Sequence, residues 1–163
     1  MGWFMAARND VPGVIAPPPL IFLFFLLTGI GLDAVFRLAL LPEAMSRPRW
    51  IAGVALIGVA IALLATGVAG FRRAGTPVPT RQPATALVTS GAHGFSRNPL
   101  YISLCLCYFG IALLANSVAA FALAIPLLLV IRYFVVAREE RYLEHRFGDA
   151  YLAYKARVPR WLW

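Results

Sequence analysis

The stretch PLYISLCLCYFGIALLANSVAAFALAIPLLLVIRYFVVA, residues 99–137, decides the architecture, because its only charged side chain is Arg132. Asn116 and Ser117 divide it into two apolar runs, 99–115 and 117–137. Neither run alternates apolar with polar residues as a barrel strand would, and backbone in lipid must satisfy its own hydrogen bonds. Both are therefore predicted as membrane-spanning helices joined in a tight hairpin. The first is short, since a run of 17 residues rises about 26 Å against a hydrocarbon core of roughly 30 Å. Pro126 is expected to kink the second, because it removes a backbone donor and crowds the preceding turn.

Two further apolar runs lie upstream. Residues 20–41 hold Asp33 and Arg37 as their only charges, and residues 50–71 hold none. The fold class predicted is all-α: a polytopic membrane protein with about four transmembrane helices plus a C-terminal cytoplasmic amphipathic helix. It forms a single integral-membrane domain over 1–163, with two N-terminal spans (1–71), a cytoplasmic loop (72–98), the hairpin (99–137) and a cytoplasmic helix and tail (138–163). Composition agrees, with 61% of the 163 residues hydrophobic and 13% charged. A soluble domain carries roughly 45–50% and about 25%. Within the spans, Asp33 and Arg37 are four apart and placed to pair with each other. Gly58, Ala62, Thr66 and Gly70 form a small-residue stripe that would let another helix approach. Cys105 and Cys107 point in different directions on a helix, so neither a disulfide nor a metal site is expected.

The net charge is +8, and on so apolar a chain it reads as membrane topology rather than nucleic-acid binding. Arg8, then Arg72, Arg73, Arg81 and Arg97, then Arg138, Arg141, Arg146, Lys155, Arg157 and Arg160 face only Arg47 and Arg49 in the first interhelical loop. This bias predicts cytoplasmic N- and C-termini and a cytoplasmic 72–98 segment, in the inner membrane if the source is bacterial. The first run follows Pro17, Pro18 and Pro19 without a basic leader, which reads as a retained span.

The 72–98 segment is rich in Pro, Gly, Thr and Ser and reads as a structured loop. Residues 137–157 read as one amphipathic helix, with Val136, Glu140, Leu143, Phe147, Ala150 and Tyr154 on one face. Tyr151, Trp161 and Trp163 suit a membrane–water interface.

Two polar clusters flank the hairpin and are brought to the same end by it. The first runs from Gly91 through His93, Phe95, Arg97 and Asn98 to Pro99, Leu100 and Tyr101. The second contains Arg138, Glu139, Glu140 and Arg141, followed by Phe147, Gly148 and Tyr151. Taken alone, Asn98 and Pro99 read as a helix cap and first helical residue, and the glutamates as charges balancing nearby arginines.

Together the clusters resemble the isoprenylcysteine carboxyl methyltransferase and phospholipid methyltransferase family. Residues 87–91 and 97–101 look like its cofactor loop, and Glu139 through Val158, Pro159 and Arg160 is similar to the second half of its signature. Two positions depart: His93 stands where the family often has Tyr, and Asn98 where the carboxyl methyltransferases have His. The resemblance implies an integral-membrane methyltransferase that uses S-adenosyl-L-methionine. It implies cofactor binding by Thr85, Ala86, Leu87, Val88, His93, Asn98, Pro99, Leu100 and Tyr101, with Glu139 or Glu140 after the hairpin.

The residues suit that ligand. Backbone N–H groups at the start of the third span, with Arg97, would take its carboxylate. Either glutamate would take its ammonium, and Tyr101 or Phe95 the sulfonium or adenine. Arg97, Glu139 and Glu140 are the candidate catalytic residues; a carboxylate acceptor needs no base, whereas an amine acceptor would use Glu139, Glu140 or His93. Arg132 and Arg138 are candidates for orienting the acceptor. The expected partners are membrane lipids and a lipophilic methyl acceptor from the bilayer, with no nucleic acid and no metal. The alternatives are an NADPH-dependent membrane reductase with a related motif and a non-catalytic scaffold or lipid-binding subunit.

Overall fold

The computed structural model describes residue 13 and residues 16–78 and 83–162. Arg8, Arg81 and Trp163, which entered the charge and aromatic readings, lie outside the described residues. The helices are α1 (Pro18–Phe36), α2 (Ser46–Arg73), α3 (Pro99–Leu114), α4 (Val118–Val130), α5 (Ala137–Phe147) and α6 (Asp149–Arg157). A π-helical turn, Ile131–Val136, joins α4 to α5 without a break, and a 3₁₀ turn, Gly91–Gly94, lies in the loop. No strand occurs among the described residues.

Three helices are long and apolar enough to cross a membrane: Pro18–Phe36, Glu43–Arg73 and Val118–Phe147, with mean hydropathies of 2.1, 2.5 and 2.3. The fourth apolar helix, α3, has 16 residues and rises about 24 Å. The protein is thus an all-α, polytopic integral-membrane protein.

Helices α2 and α3 cross where glycines face each other. A Cβ on Gly110 would lie 2.9 Å from Gly53 O, and one on Gly53 would lie 3.0 Å from Gly110 O. Without a hydrophobic drive to separate protein from lipid, backbone contact of this kind is how such helices associate. The small-residue seam of α2 is therefore Gly53, Ala60 and Gly67, all buried, and not the expected stripe. Gly58 has open space around it, and Gly70 approaches loop residues Val88 and His93. A seven-residue spacing fits a left-handed crossing better than a strict four-residue one.

Helix α1 packs on α4 in the same way, with Gly29 against the Ala120 backbone. Asp33 does not make the ion pair with Arg37 suggested by their spacing. Its carboxylate accepts hydrogen bonds from the Ser117 hydroxyl and from Ala119 N–H. Asp33 is buried while Arg37, left-handed at φ 53°, ends the helix outside. At the same end of the bundle, Arg49 Nη1 donates to Leu113 O and Leu114 O, both at 2.7 Å, closing the C-terminus of α3.

The segment read as one helix from 137 to 157 is two. Gly148, at φ 51°, separates α5 from α6 in a conformation that glycine adopts at little cost. The bend carries α6 back under the loop, where Tyr151, Tyr154 and Val158 form a second small core. Tyr151 is 1% exposed, so it is a core residue rather than an interfacial one, and Trp161 packs against the main helical core.

Candidate functional site

The loop is held open from beneath by side chains of α5 and α6. Tyr142 Oη accepts from Ala84 N–H (2.9 Å), Arg146 Nε donates to Ala84 O (2.8 Å), and Tyr154 Oη donates to His93 O (2.7 Å). Above this platform, the loop, α2, α3, α5 and α6 enclose a cavity of about 660 Å³, within the range of small-molecule sites. Leu64, Val68, Phe71, Leu100 and Leu104 make an apolar wall; His93, Arg97, Asn98, Tyr101, Glu139 and Glu140 contribute the polar groups.

Glu139 and Glu140 are both buried because α5 is covered on two sides. Glu139 faces α3, where Tyr101 Oη donates to its Oε1 at 2.7 Å. Glu140 faces the turn before α3 and the C-terminal tail. Arg97 Nη1 lies 2.8 Å from Glu140 Oε1, while Arg160 binds both oxygens, Nε to Oε1 at 3.0 Å and Nη2 to Oε2 at 2.6 Å. Hydrogen bonding to Glu140 in turn holds the Arg160 guanidinium above its ordinary pKa. Glu140 is thus neutralised twice over, whereas Glu139 has the Tyr101 hydroxyl and, among the described residues, no cation beside it.

Two buried atoms of residues that line the cavity have no partner among the described residues: Arg97 Nε and His93 Nδ1. Buried donors and acceptors of this kind are uncommon and call for a ligand or a functional reason. Burial lowers the His93 pKa to about 4, so its imidazole is neutral near pH 7 and ill suited to carry a positive charge there. Burial likewise raises the pKa of Tyr154 and Tyr151, the latter helped by Glu140.

Of the residues expected from sequence, Ala86, Leu87, Val88, His93, Arg97, Asn98, Pro99, Leu100, Tyr101, Glu139 and Glu140 come together on the cavity. Thr85 stays outside that wall, exposed, with its N–H donating to Thr76 Oγ1 at 2.9 Å. Arg132 is exposed on the π turn, its guanidinium 5.6 Å from the centre of the Tyr133 ring. Arg138 donates to Gly13 O at 2.8 Å. Neither arginine lines the cavity. Phe95 is 79% exposed and offers the cavity no aromatic surface.

The start of α3 also differs from expectation. Asn98 does not cap the helix with its side chain; Nδ2 reaches across to Arg160 O at 2.9 Å. Pro99 has no N–H, and the N–H groups of Tyr101 and Ile102 both donate to Asn98 O. The amides there are largely satisfied internally, so the site's anion-binding capacity rests on Arg97. Sequence reasoning missed Tyr151, Tyr154 and Arg160 as wall or supporting residues. The three-residue spacing of Tyr151 and Tyr154, and the placing of Arg160 after Pro159, are weak signals without the fold.

The fold and cavity define a class: a polytopic helical membrane protein with a cavity at one end of its bundle. A model of the phospholipid methyltransferase family matches residues 48–150, and the chain belongs to that family of membrane methyltransferases. An uncharacterized protein of Haemophilus influenzae is 48% identical over 63 residues, covering 39% of this chain and 100% of the relative. No solved structure matches.

Proposed function

We infer that the protein transfers a methyl group from S-adenosylmethionine to a lipophilic acceptor at the cytoplasmic face of the membrane. The observation that carries this reading is the pairing of two unmet needs on residues that line one cavity. Glu139 is a buried carboxylate without a cation, and Arg97 Nε is a buried donor without an acceptor. The amino-acid group of S-adenosylmethionine carries an ammonium and a carboxylate, which suit them respectively. The cavity volume and the Tyr101 ring fit the rest of the molecule.

When bound, the cofactor supplies an electrophilic methyl on a good leaving group. The chain's own residues then have to align and to exclude water, effects worth on the order of 7–11 kcal/mol when geometry is held. Leu64, Val68 and Leu104 keep the inner wall dry and suit an acyl or isoprenoid chain. Tyr101 orients Glu139, and Arg97 is oriented by Glu140. If the acceptor is an amine, Glu139 is the group on the wall able to take its proton; a carboxylate acceptor needs none. The distribution of arginines supports the cytoplasmic orientation, since the 72–78 and 84–98 segments, α5, α6 and the tail share the cavity end of the bundle.

Titrating purified protein with S-adenosylmethionine by calorimetry tests the cofactor. Saturable binding is expected, and a folded protein that does not bind it sinks the reading. Incubating membranes with labelled methyl donor then identifies the acceptor; label is expected in an extractable lipid or lipidated product and not in soluble small molecules.

A further inference from the structure

We propose that Arg160, on the tail that follows α6, is a positioning residue of this site. It holds Glu140 so that Arg97 and Glu139 are left to the ligand. The proposal rests on the cofactor reading above. Arg160 lies beyond residues 48–150, the stretch that the family model matches, and the fold returns it to the site.

The tail is fastened directly to the turn that carries Arg97. Arg97 N–H donates to Pro159 O at 2.9 Å, while Ser96 Oγ (3.1 Å) and Asn98 Nδ2 (2.9 Å) both donate to Arg160 O. These three bonds bring the Arg160 side chain back over α5, where it grips Glu140 with two parallel contacts. A planar guanidinium fork of this kind fixes a carboxylate in orientation as well as in position. Arg97 uses only Nη1 on the same carboxylate, at Oε1, and its buried Nε–H has no acceptor among the described residues.

Charge makes the arrangement consequential. Arg97 and Arg160 share one carboxylate, Glu140, while Glu139 stands apart on the Tyr101 hydroxyl. Removing Arg160 frees Glu140 Oε2 and lets Glu140 draw Arg97 fully to itself. A ligand carboxylate then meets a carboxylate in place of a free donor.

The test is S-adenosylmethionine affinity by calorimetry, with the melting temperature of the cofactor-free protein measured alongside. Arg160→Ala is expected to raise the Kd about tenfold, the scale seen when an outer partner orienting a binding group is removed. Arg160→Lys, which keeps charge but not the fork, should fall between Ala and wild type. In a Glu140→Gln background Arg160→Ala should add little, because the residue acts through Glu140. Wild-type binding with an unchanged Kd in Arg160→Ala, whether or not melting falls, overturns this proposal alone, as does full additivity with Glu140→Gln. Absence of binding in folded wild type overturns the cofactor reading and this proposal with it. Should Arg160→Ala fail to fold, Arg160→Lys carries the test, and an unchanged Kd there is decisive against the idea.

Discussion

Tyr101 and Glu139 stand 38 positions apart, at opposite ends of the helical hairpin, and their side chains meet at 2.7 Å inside the protein. The contact ties α3 to α5 at the cavity, and it holds a carboxylate that has no neighbouring cation among the described residues.

Tyr101→Phe removes that donor and leaves a buried carboxylate unsatisfied, at a cost of about 1–3 kcal/mol. The melting temperature in detergent should fall by several degrees, and S-adenosylmethionine should bind more weakly. Unaltered melting and binding would show that Glu139 does not need the hydroxyl.

The two glutamates should respond differently to neutralisation. Glu139→Gln is expected to abolish measurable cofactor binding while the fold survives, because no cation among the described residues depends on that carboxylate. Glu140→Gln strands Arg97 and Arg160, whose side chains are 9% and 32% exposed. The loss of stability should be about 3 kcal/mol, at the low end for a broken buried pair because Arg160 is partly wetted. Equal effects of both substitutions on melting and on affinity would contradict this division.

Gly110→Val should disrupt the α2–α3 crossing. Even a Cβ at this position meets Ile57 Cγ1 at 2.7 Å and Gly53 O at 2.9 Å, and backbone cannot give way as a flexible side chain can. A loss of about 1–3 kcal/mol or more is expected, read as lower melting and poorer yield from membranes. Gly58→Val, on the open side of α2, is the control and should melt like wild type.

His93 gives the protein a pH dependence of known sign. Its folded pKa, about 4, lies below the ordinary value near 6.5, so the unfolded chain binds the proton first as pH falls. The stability it contributes is complete above about pH 6.5 and declines through the window down to about pH 4. Melting temperatures at pH 7 and pH 5 should differ more in wild type than in His93→Gln. Parallel profiles in the two proteins would remove His93 from the account.

The polar clusters were visible in the sequence because Gly, Asn, Pro, Tyr and paired Glu are conspicuous beside long apolar runs. Their grouping around one cavity follows from the hairpin, whose two-residue polar turn leaves its helices little choice but to lie side by side. Thr85, Phe95, Arg132 and Arg138 could not be sorted in this way. A loop residue's facing has no period, and a long arginine on a helix next to a π turn reaches either side.

Sequence alone determined the spans, because lipid acts as a uniform solvent and each helix must satisfy its backbone within itself, a condition written locally in hydropathy. Tertiary structure decided which polar groups met. Asp33 turned to Ser117 instead of Arg37, Gly53 found Gly110, and Arg160 folded back to Glu140 while Glu139 was left to Tyr101. Those choices depend on how far apart in the chain two groups can be and still share a buried volume, and no local pattern records that distance.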